Sequence, residues 1–157
     1  MQSLDLHFGQ KTDPAIANAL KTIERNPKFL RAITFSINSL YQLSNESGTQ
    51  NRENCYHILK QDGHGTLKTL LDLHMEDSEV PFSSGKSIQS ILIQLEYPEV
   101  VEKMIKIGMA STAVKVLRAQ VKEQRILELF LDILARLSLK ESHSTMFEEG
   151  VVDYLNE

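Results

Sequence analysis

The chain has 157 residues, of which 41% are hydrophobic and 24% are charged, and its formal net charge is −4. This length and composition are typical of one globular domain that needs no disulfides or metal ions to stabilise its core. Because the charges are spread along the chain rather than clustered, the sequence argues against nucleic-acid binding, which needs a basic surface for the phosphates.

The sequence carries few signals for a cellular compartment. No apolar run approaches the roughly 18 residues that span a membrane, and the start MQSLDLHFGQKTD lacks the order of a signal peptide. The single cysteine, Cys55, cannot form an internal disulfide and fits a reducing environment. We therefore predict a cytoplasmic protein with no membrane partner, and nuclear or cytoskeleton-associated locations are the alternatives.

Composition and periodicity predict helices and no convincing strand. Trp is absent, aromatic residues make up only 6% of the chain, and good helix formers dominate. Asp13-Pro14 predicts the start of a first helix, and Asn26-Pro27 ends it and starts a second. Apolar residues then recur at helical spacing in six further segments, within 56–59, 67–73, 88–95, 100–107, 113–117 and 126–137.

Two polar stretches are predicted to connect helices. SNESGTQNREN (44–54) has no apolar residue that could face a core, and MEDSEVPFSSGK (75–86) contains Pro81 and Gly85. Glycine predicts corners at two other places, Gly63-His64-Gly65 and Gly108. The second of these interrupts the apolar segment MIKIGMASTAVKVL (104–117), which we interpret as two helices rather than one.

The sequence also repeats itself. The segments SLYQLS (39–44), ILIQLE (91–96) and ILARLS (133–138) align, and their last leucines lie 52 and then 42 positions apart. Gly108 and Gly150 follow the second and third of these leucines by 13 positions, and a methionine precedes each glycine by four. Because two separate markers keep one register, we predict a repeat with a period near 42 residues.

A period of this length, with a short helix, a glycine corner, a second helix and a long third helix, resembles the armadillo-repeat family. The resemblance implies an all-α fold, a right-handed α-solenoid of about three armadillo-like three-helix repeats that is part of a longer array. Residues 1–12 are then an N-terminal extension, and 13–157 are the armadillo-like helical domain. That domain divides into a partial repeat (13–44), two repeats (55–96 and 99–138) and the start of a further repeat (141–157).

In the armadillo family the third helices line a concave surface, with an asparagine near the end of each helix and often a tryptophan one turn earlier. Six residues of this chain match those positions: Gln42, Gln94 and Arg136 for the asparagine, and Asn38, Ser90 and Asp132 for the tryptophan. We call these six residues the concave strip. Because none of the first three is asparagine, the nuclear-import type of peptide recognition is not expected.

The resemblance implies a non-catalytic scaffold that binds a protein partner through the concave strip within a larger assembly. One alternative is a regulatory helical-repeat domain that positions the catalytic domain of a larger enzyme. Another is that the concave strip is only the solvated face of amphipathic helices.

No catalytic residue, cofactor or metal site is predicted. SSGKS (83–87) resembles part of a phosphate-binding loop, but Val80 stands where that motif needs glycine. Cys55, His57 and His64 are zinc-ligand types without the further ligands that a zinc site needs. Four acidic residues are interpreted as a solvated face rather than an acid–base pair: Asp72, Glu76, Asp77 and Glu79.

Overall fold

A computed structural model describes residues 4–9, 13–45 and 49–138, and the predicted start of a further repeat (141–157) lies outside these ranges. The described residues form a short 3-10 helix, Asp5–His7, and eight α-helices with no strand, so the predicted all-α class is confirmed. The helices are α1 (Pro14–Arg25), α2 (Leu30–Ser44), α3 (Thr49–Lys60), α4 (Gly63–His74), α5 (Glu79–Gln94), α6 (Pro98–Lys106), α7 (Met109–Ala119) and α8 (Gln124–Leu137). None of these helices is both long and apolar enough to cross a bilayer.

The first helix begins and ends where the sequence predicts, whereas α2 begins at Leu30, three residues after Pro27. Asp13 caps α1 because its Oδ1 accepts a hydrogen bond from the Ala15 N–H at 2.9 Å, and Pro14 takes the first helical position. The helix ends at Arg25, and Asn26 and Pro27 lie between it and α2.

The predicted corner at Gly108 is confirmed. Gly108 has φ +88°, a left-handed conformation that is strained for residues with a β-carbon, and it directly precedes α7. The corner predicted at Gly63-His64-Gly65 lies one residue earlier, because Gly63 already begins α4 and the left-handed residue is Asp62, with φ 61°. Gly63 instead allows the start of α4 to lie close to α3, since a β-carbon on Gly63 would lie 2.7 Å from the carbonyl oxygen of Ile58.

The predicted connection 44–54 is wrong from Thr49 onward, where α3 begins. The first turns of α3 are polar and yet partly buried, because their side chains pair with one another and with α2. Asn54 is buried, its Nδ2 donates to the Leu43 carbonyl oxygen at 2.9 Å, and Gln50 Nε2 donates to its Oδ1 at 3.0 Å. Hydrogen bonds thus replace the apolar face by which the helix could have been recognised.

The predicted connection 75–86 is wrong from Glu79 onward, where α5 begins. Asp77 caps this helix, since its Oδ2 accepts the N–H groups of Glu79 at 3.0 Å and Val80 at 2.9 Å. Pro81 is tolerated because it lies in the first turn, where a backbone N–H has no partner within the helix.

The helices pack as pairs that lie side by side. The pairs are α1 with α2, α4 with α5, and α7 with α8. Between pairs, α2 packs on α5 and α5 on α8, while α1 packs on α4 and α4 on α7. The remaining helices, α3 and α6, precede the second and third pairs; α3 packs on α5 and α2, and α6 packs on α7 and α8. The second members of the pairs therefore form one row, α2–α5–α8.

Small side chains allow α5 to lie in the middle of this row. Ser83, Ser87 and Ser90 are buried towards α2, where Ser87 Oγ accepts a hydrogen bond from Ser44 Oγ at 3.1 Å. Towards α8, a β-carbon on Gly85 would lie 2.7 Å from Leu129 Cδ2, closer than real contacts come. The SSGKS stretch is therefore the interior of a tightly packed helix and not a loop.

We expect Gly85→Ala to lower the free energy of unfolding by about 1–3 kcal/mol, because the added methyl group overpacks the contact between α5 and α8. Urea denaturation followed by circular dichroism measures the change. Gly9→Ala is the matched control, since a β-carbon there would meet nothing within 4 Å, and its effect should stay within about 0.5 kcal/mol. Equal stability of the two variants would contradict the close packing.

We expect Gly108→Ala to destabilise the protein by on the order of 1 kcal/mol, because alanine is strained at φ +88°. In a chain of this size that corresponds to a fall in Tm of roughly 2–4 °C, which thermal unfolding can resolve. Gly108→Asn should lose less, since asparagine tolerates the left-handed region better. Equal losses for Ala and Asn would argue against backbone strain.

Candidate functional site

The row α2–α5–α8 carries all six residues of the concave strip, two on each helix. Asn38 and Gln42 are exposed, Gln94, Asp132 and Arg136 are half-buried, and Ser90 is only 7% exposed. The structure brings Asp132 and Arg136 together, with Arg136 Nε 2.8 Å from Asp132 Oδ2. The other four are not joined to one another by a hydrogen bond in the part of the chain that the structure describes.

Four residues of the concave strip contribute to contacts between helices or their ends, and one of them, Asp132, does so through Gln89 of α5. Asn38 Oδ1 accepts a hydrogen bond from Ser83 Oγ at 2.9 Å, and Ser90 Oγ donates to Asn45 Oδ1 at 2.8 Å. The backbone carbonyl of Gln94 accepts from Arg52 Nε at 3.3 Å, which leaves its side-chain amide outside that bond. The side chains of Gln42, Gln94 and Arg136 are therefore the better candidates for a partner, and the concave strip as a whole stays a prediction.

A groove of about 290 Å³ lies between α5 and α8 on the same row. Its lining residues are Phe82, Lys86 and Gln89 of α5 and Arg125, Glu128 and Leu129 of α8. The guanidinium carbon of Arg125 lies 4.3 Å from the centre of the Phe82 ring, a cation–π contact. Tyr41 of α2 packs edge-on against the same ring at 6.3 Å between centroids, so aromatic contacts continue from α2 into the groove.

The groove adjoins the concave strip through Gln89 and Asp132. Gln89 Nε2 donates to Asp132 Oδ2 at 2.7 Å, and Arg136 Nε donates to the same oxygen. Burial raises the pKa of Asp132, but hydrogen bonds from Arg136 and Gln89 and the charges of Arg136 and Lys86 outweigh it and leave the pKa below its usual value. Asp132 is therefore ionised at neutral pH and paired with Arg136.

The charges that remain in the groove favour an acidic ligand. Lys86 and Arg125 supply two cations against the single carboxylate of Glu128, and Phe82 and Leu129 supply apolar surface. Such a groove can bind a polypeptide segment through a carboxylate and a neighbouring apolar side chain.

Sequence reasoning missed the groove residues for a definite reason. The polar pattern of residues 75–86 predicts a connection, which places neither Phe82 nor Lys86 on a helix. With α5 extended to Glu79, Phe82, Lys86 and Gln89 follow the helical spacing i, i+4, i+7 and share one face. That spacing is the signal in the sequence that could have found them.

The zinc-ligand types around Cys55 do not form a metal site among the described residues. Within those ranges no three His, Cys, Asp or Glu side chains come together as metal ligands would. His57 Nε2 lies 4.0 Å from Glu53 Oε2, and His64 Nε2 lies 3.5 Å from Asp62 Oδ1. Burial lowers the pKa of His64, which therefore favours its neutral form.

Cys55 itself is buried. Its Sγ lies 3.6 Å from the Ser44 carbonyl oxygen and 3.5 Å from Asn51 Oδ1. Burial raises the pKa of the thiol to about 12. Both the burial of Cys55 and its raised pKa are typical of a packed side chain rather than of a nucleophile.

No protein-family model, no curated protein and no solved structure matches this chain. The groove, the concave strip and the packing of the helices are therefore the features from which a function can be proposed.

We expect Cys55 to react with a disulfide reagent at pH 8 far more slowly in the folded protein than after unfolding. A pKa raised from 9.0 to about 12 lowers the thiolate fraction about 1000-fold, and burial restricts access further. The rate in buffer is compared with the rate in concentrated guanidinium chloride. Rates within tenfold of each other would contradict the buried, protonated thiol.

Proposed function

We propose that this chain is a non-catalytic protein-binding scaffold, an armadillo-like α-solenoid within a larger assembly. The observation that carries the proposal is the groove between α5 and α8, which continues into Asp132 and Arg136 on the row α2–α5–α8. Its mechanism is a rigid surface that holds a segment of the partner through many contacts, each of which is weak.

Hydrogen bonds between corresponding helices of successive pairs support a repeated arrangement. Bonds between α2, or its C-cap residue Asn45, and α5 join residues 43 and 45 positions apart, and the bond from α5 to α8 spans 43 positions. Bonds from α1 to α4 and from α4 to α7 span 42 and 40 positions. The separation between α5 and α8 is close to the 42 positions between the last leucines of their aligned segments, whereas α2 and α5 bond at 43 and 45 positions although the corresponding leucines lie 52 positions apart.

The partner segment that fits best is an extended acidic polypeptide. Lys86 and Arg125 would bind its carboxylates, and the amide side chains of Gln42 and Gln94 would bind its backbone. Phe82 and Leu129 would contact an apolar side chain next to the carboxylate. A partner seated there would cross from α8 towards α2.

We expect Lys86→Glu with Arg125→Glu to lower recovery of the partner at least about tenfold, because the groove would then repel acidic side chains. The purified chain serves as bait, and quantitative mass spectrometry compares the captured proteins. Lys21→Glu with Lys115→Glu makes the same change in net charge at exposed sites of α1 and α7 and should retain the partner.

A cross-linking experiment tests direct contact on the same surface. A photo-reactive amino acid in place of Gln42 or Glu128 should capture the partner that the charge reversal loses, while one in place of Lys115 should not. The proposal fails if both charge variants retain the same proteins, or if the position on α7 cross-links as well as the two on the row.

A further inference from the structure

Residues 4–9 lie against a surface formed by α3 and by the start of α6. Their only regular structure is the 3-10 helix Asp5–His7, closed by one backbone hydrogen bond from the His7 N–H to the Leu4 carbonyl oxygen. Leu4 is nevertheless only 3% exposed and Phe8 only 8% exposed. A segment this short cannot bury its own side chains, so the helices supply the burial.

Phe8 is the apolar anchor of this segment. Its ring stacks on the Tyr56 ring of α3, with 4.4 Å between centroids and 7° between planes. The guanidinium carbon of Arg52 also lies 4.7 Å from the centre of the Phe8 ring. Arg52 is held in place because its Nε donates to the Gln94 carbonyl oxygen and its Nη2 donates to the Tyr97 hydroxyl at 3.1 Å.

Polar groups of the segment are paired with the same surface. Tyr56 donates its hydroxyl hydrogen to Asp5 Oδ1 at 2.7 Å, and Lys60 Nζ lies 3.4 Å from Asp5 Oδ2. The Leu4 N–H donates to Glu99 Oε1 at 3.1 Å. The hydrogen bond from Tyr56 is the main reason that the pKa of Asp5 is lowered.

These contacts are those of a bound peptide. The Phe8 ring contacts Tyr56 and Arg52, the Asp5 carboxylate contacts Tyr56 and Lys60, and the Leu4 N–H donates to Glu99, so α3 and α6 together hold the segment. The receiving residues are 51 and 95 positions away along the chain for the two shortest polar contacts. The surface therefore holds Leu4, Asp5 and Phe8 through contacts between residues that are far apart along the chain.

We propose that this surface of α3 and α6 is a peptide-binding site that Leu4–Phe8 occupies as an intramolecular ligand. Its second occupant is a partner protein with the same pattern, a leucine followed by an acidic residue and, three positions later, by phenylalanine. The tethered segment acts at an effective concentration in the millimolar range, so the partner binds only when it outcompetes that segment. This site uses different helix faces from the groove between α5 and α8, so it stands or falls separately from the proposed function.

Release of the segment in the full chain tests the proposal. Asp5→Lys with Phe8→Ala removes the carboxylate and the ring that hold residues 4–9 in place. A fluorescent peptide of sequence MQSLDLHFG is then titrated with wild-type and released protein, and fluorescence anisotropy reports binding. We expect the released variant to bind the peptide at least about tenfold more tightly than the wild type, because its site is free.

Two controls make the result specific. The same peptide with Phe8→Ala should bind the released variant at least about tenfold more weakly, because it lacks the ring that stacks on Tyr56. Adding Arg52→Glu to the released variant should also abolish tight binding. If the native peptide and the Phe8→Ala peptide bind equally, the site does not recognise this pattern and the proposal is wrong.

A second measurement, on the wild-type protein, tests the proposal even if the released variant does not fold. Wild-type protein labelled at its phenylalanine rings is titrated with unlabelled peptide to millimolar concentration, and NMR follows the ring of Phe8, which leaves the Tyr56 ring when the segment is displaced. Movement of the Phe8 signals to the positions of the unbound peptide supports displacement of the segment, and unchanged Phe8 signals contradict it. A concentration-dependent dimer of the wild type that exchanges residues 4–9 would assign the second occupant to another copy of the chain and overturn the partner.

Discussion

The close packing of α5 between α2 and α8 is the constraint on which the rest of the structure depends. Gly85 brings the backbone of α5 so near to Leu129 that a methyl group has no room. On the other side, serines replace larger side chains against α2, and Ser87 pairs with Ser44. Because α5 has little side-chain volume on the sides that face α2 and α8, both helices can pack closely on it and the three form one row. The groove lies beside Phe82, which is a large side chain of α5.

Buried polar contacts give this packing its register. Apolar surfaces can slide past one another at little cost, whereas a displaced hydroxyl or amide loses its hydrogen bond inside the protein. Gln120 shows the effect at the other edge, where its Nε2 donates to the carbonyl oxygens of Met75 at 2.7 Å and Asp77 at 2.8 Å. The connection between α4 and α5 is thereby tied to α7, and the cap that starts α5 is held in position.

The protein presents two surfaces with different chemistry. The groove on the row α2–α5–α8 offers Lys86 and Arg125 beside apolar residues and favours an acidic segment. The surface of α3 and α6 stacks Phe8 on Tyr56 and is occupied by residues of the same chain. An electrostatic groove and an aromatic surface covered by the chain's own residues differ in chemistry, which is why we propose a different ligand for each.

The sequence by itself determined the features that depend on local backbone and periodicity. The cap at Asp13 and the left-handed corner at Gly108 follow from what each residue can do with its own backbone, and the apolar stripes follow from the helical period. Only the tertiary structure decided that Asn54 and Gly85 belong to helices. The Asn54 amide is buried because α2 supplies its hydrogen-bond partner, and the missing side chain of Gly85 makes room for α8. The groove between α5 and α8 is of the same kind, since its residues come from two helices and meet only when those helices pack.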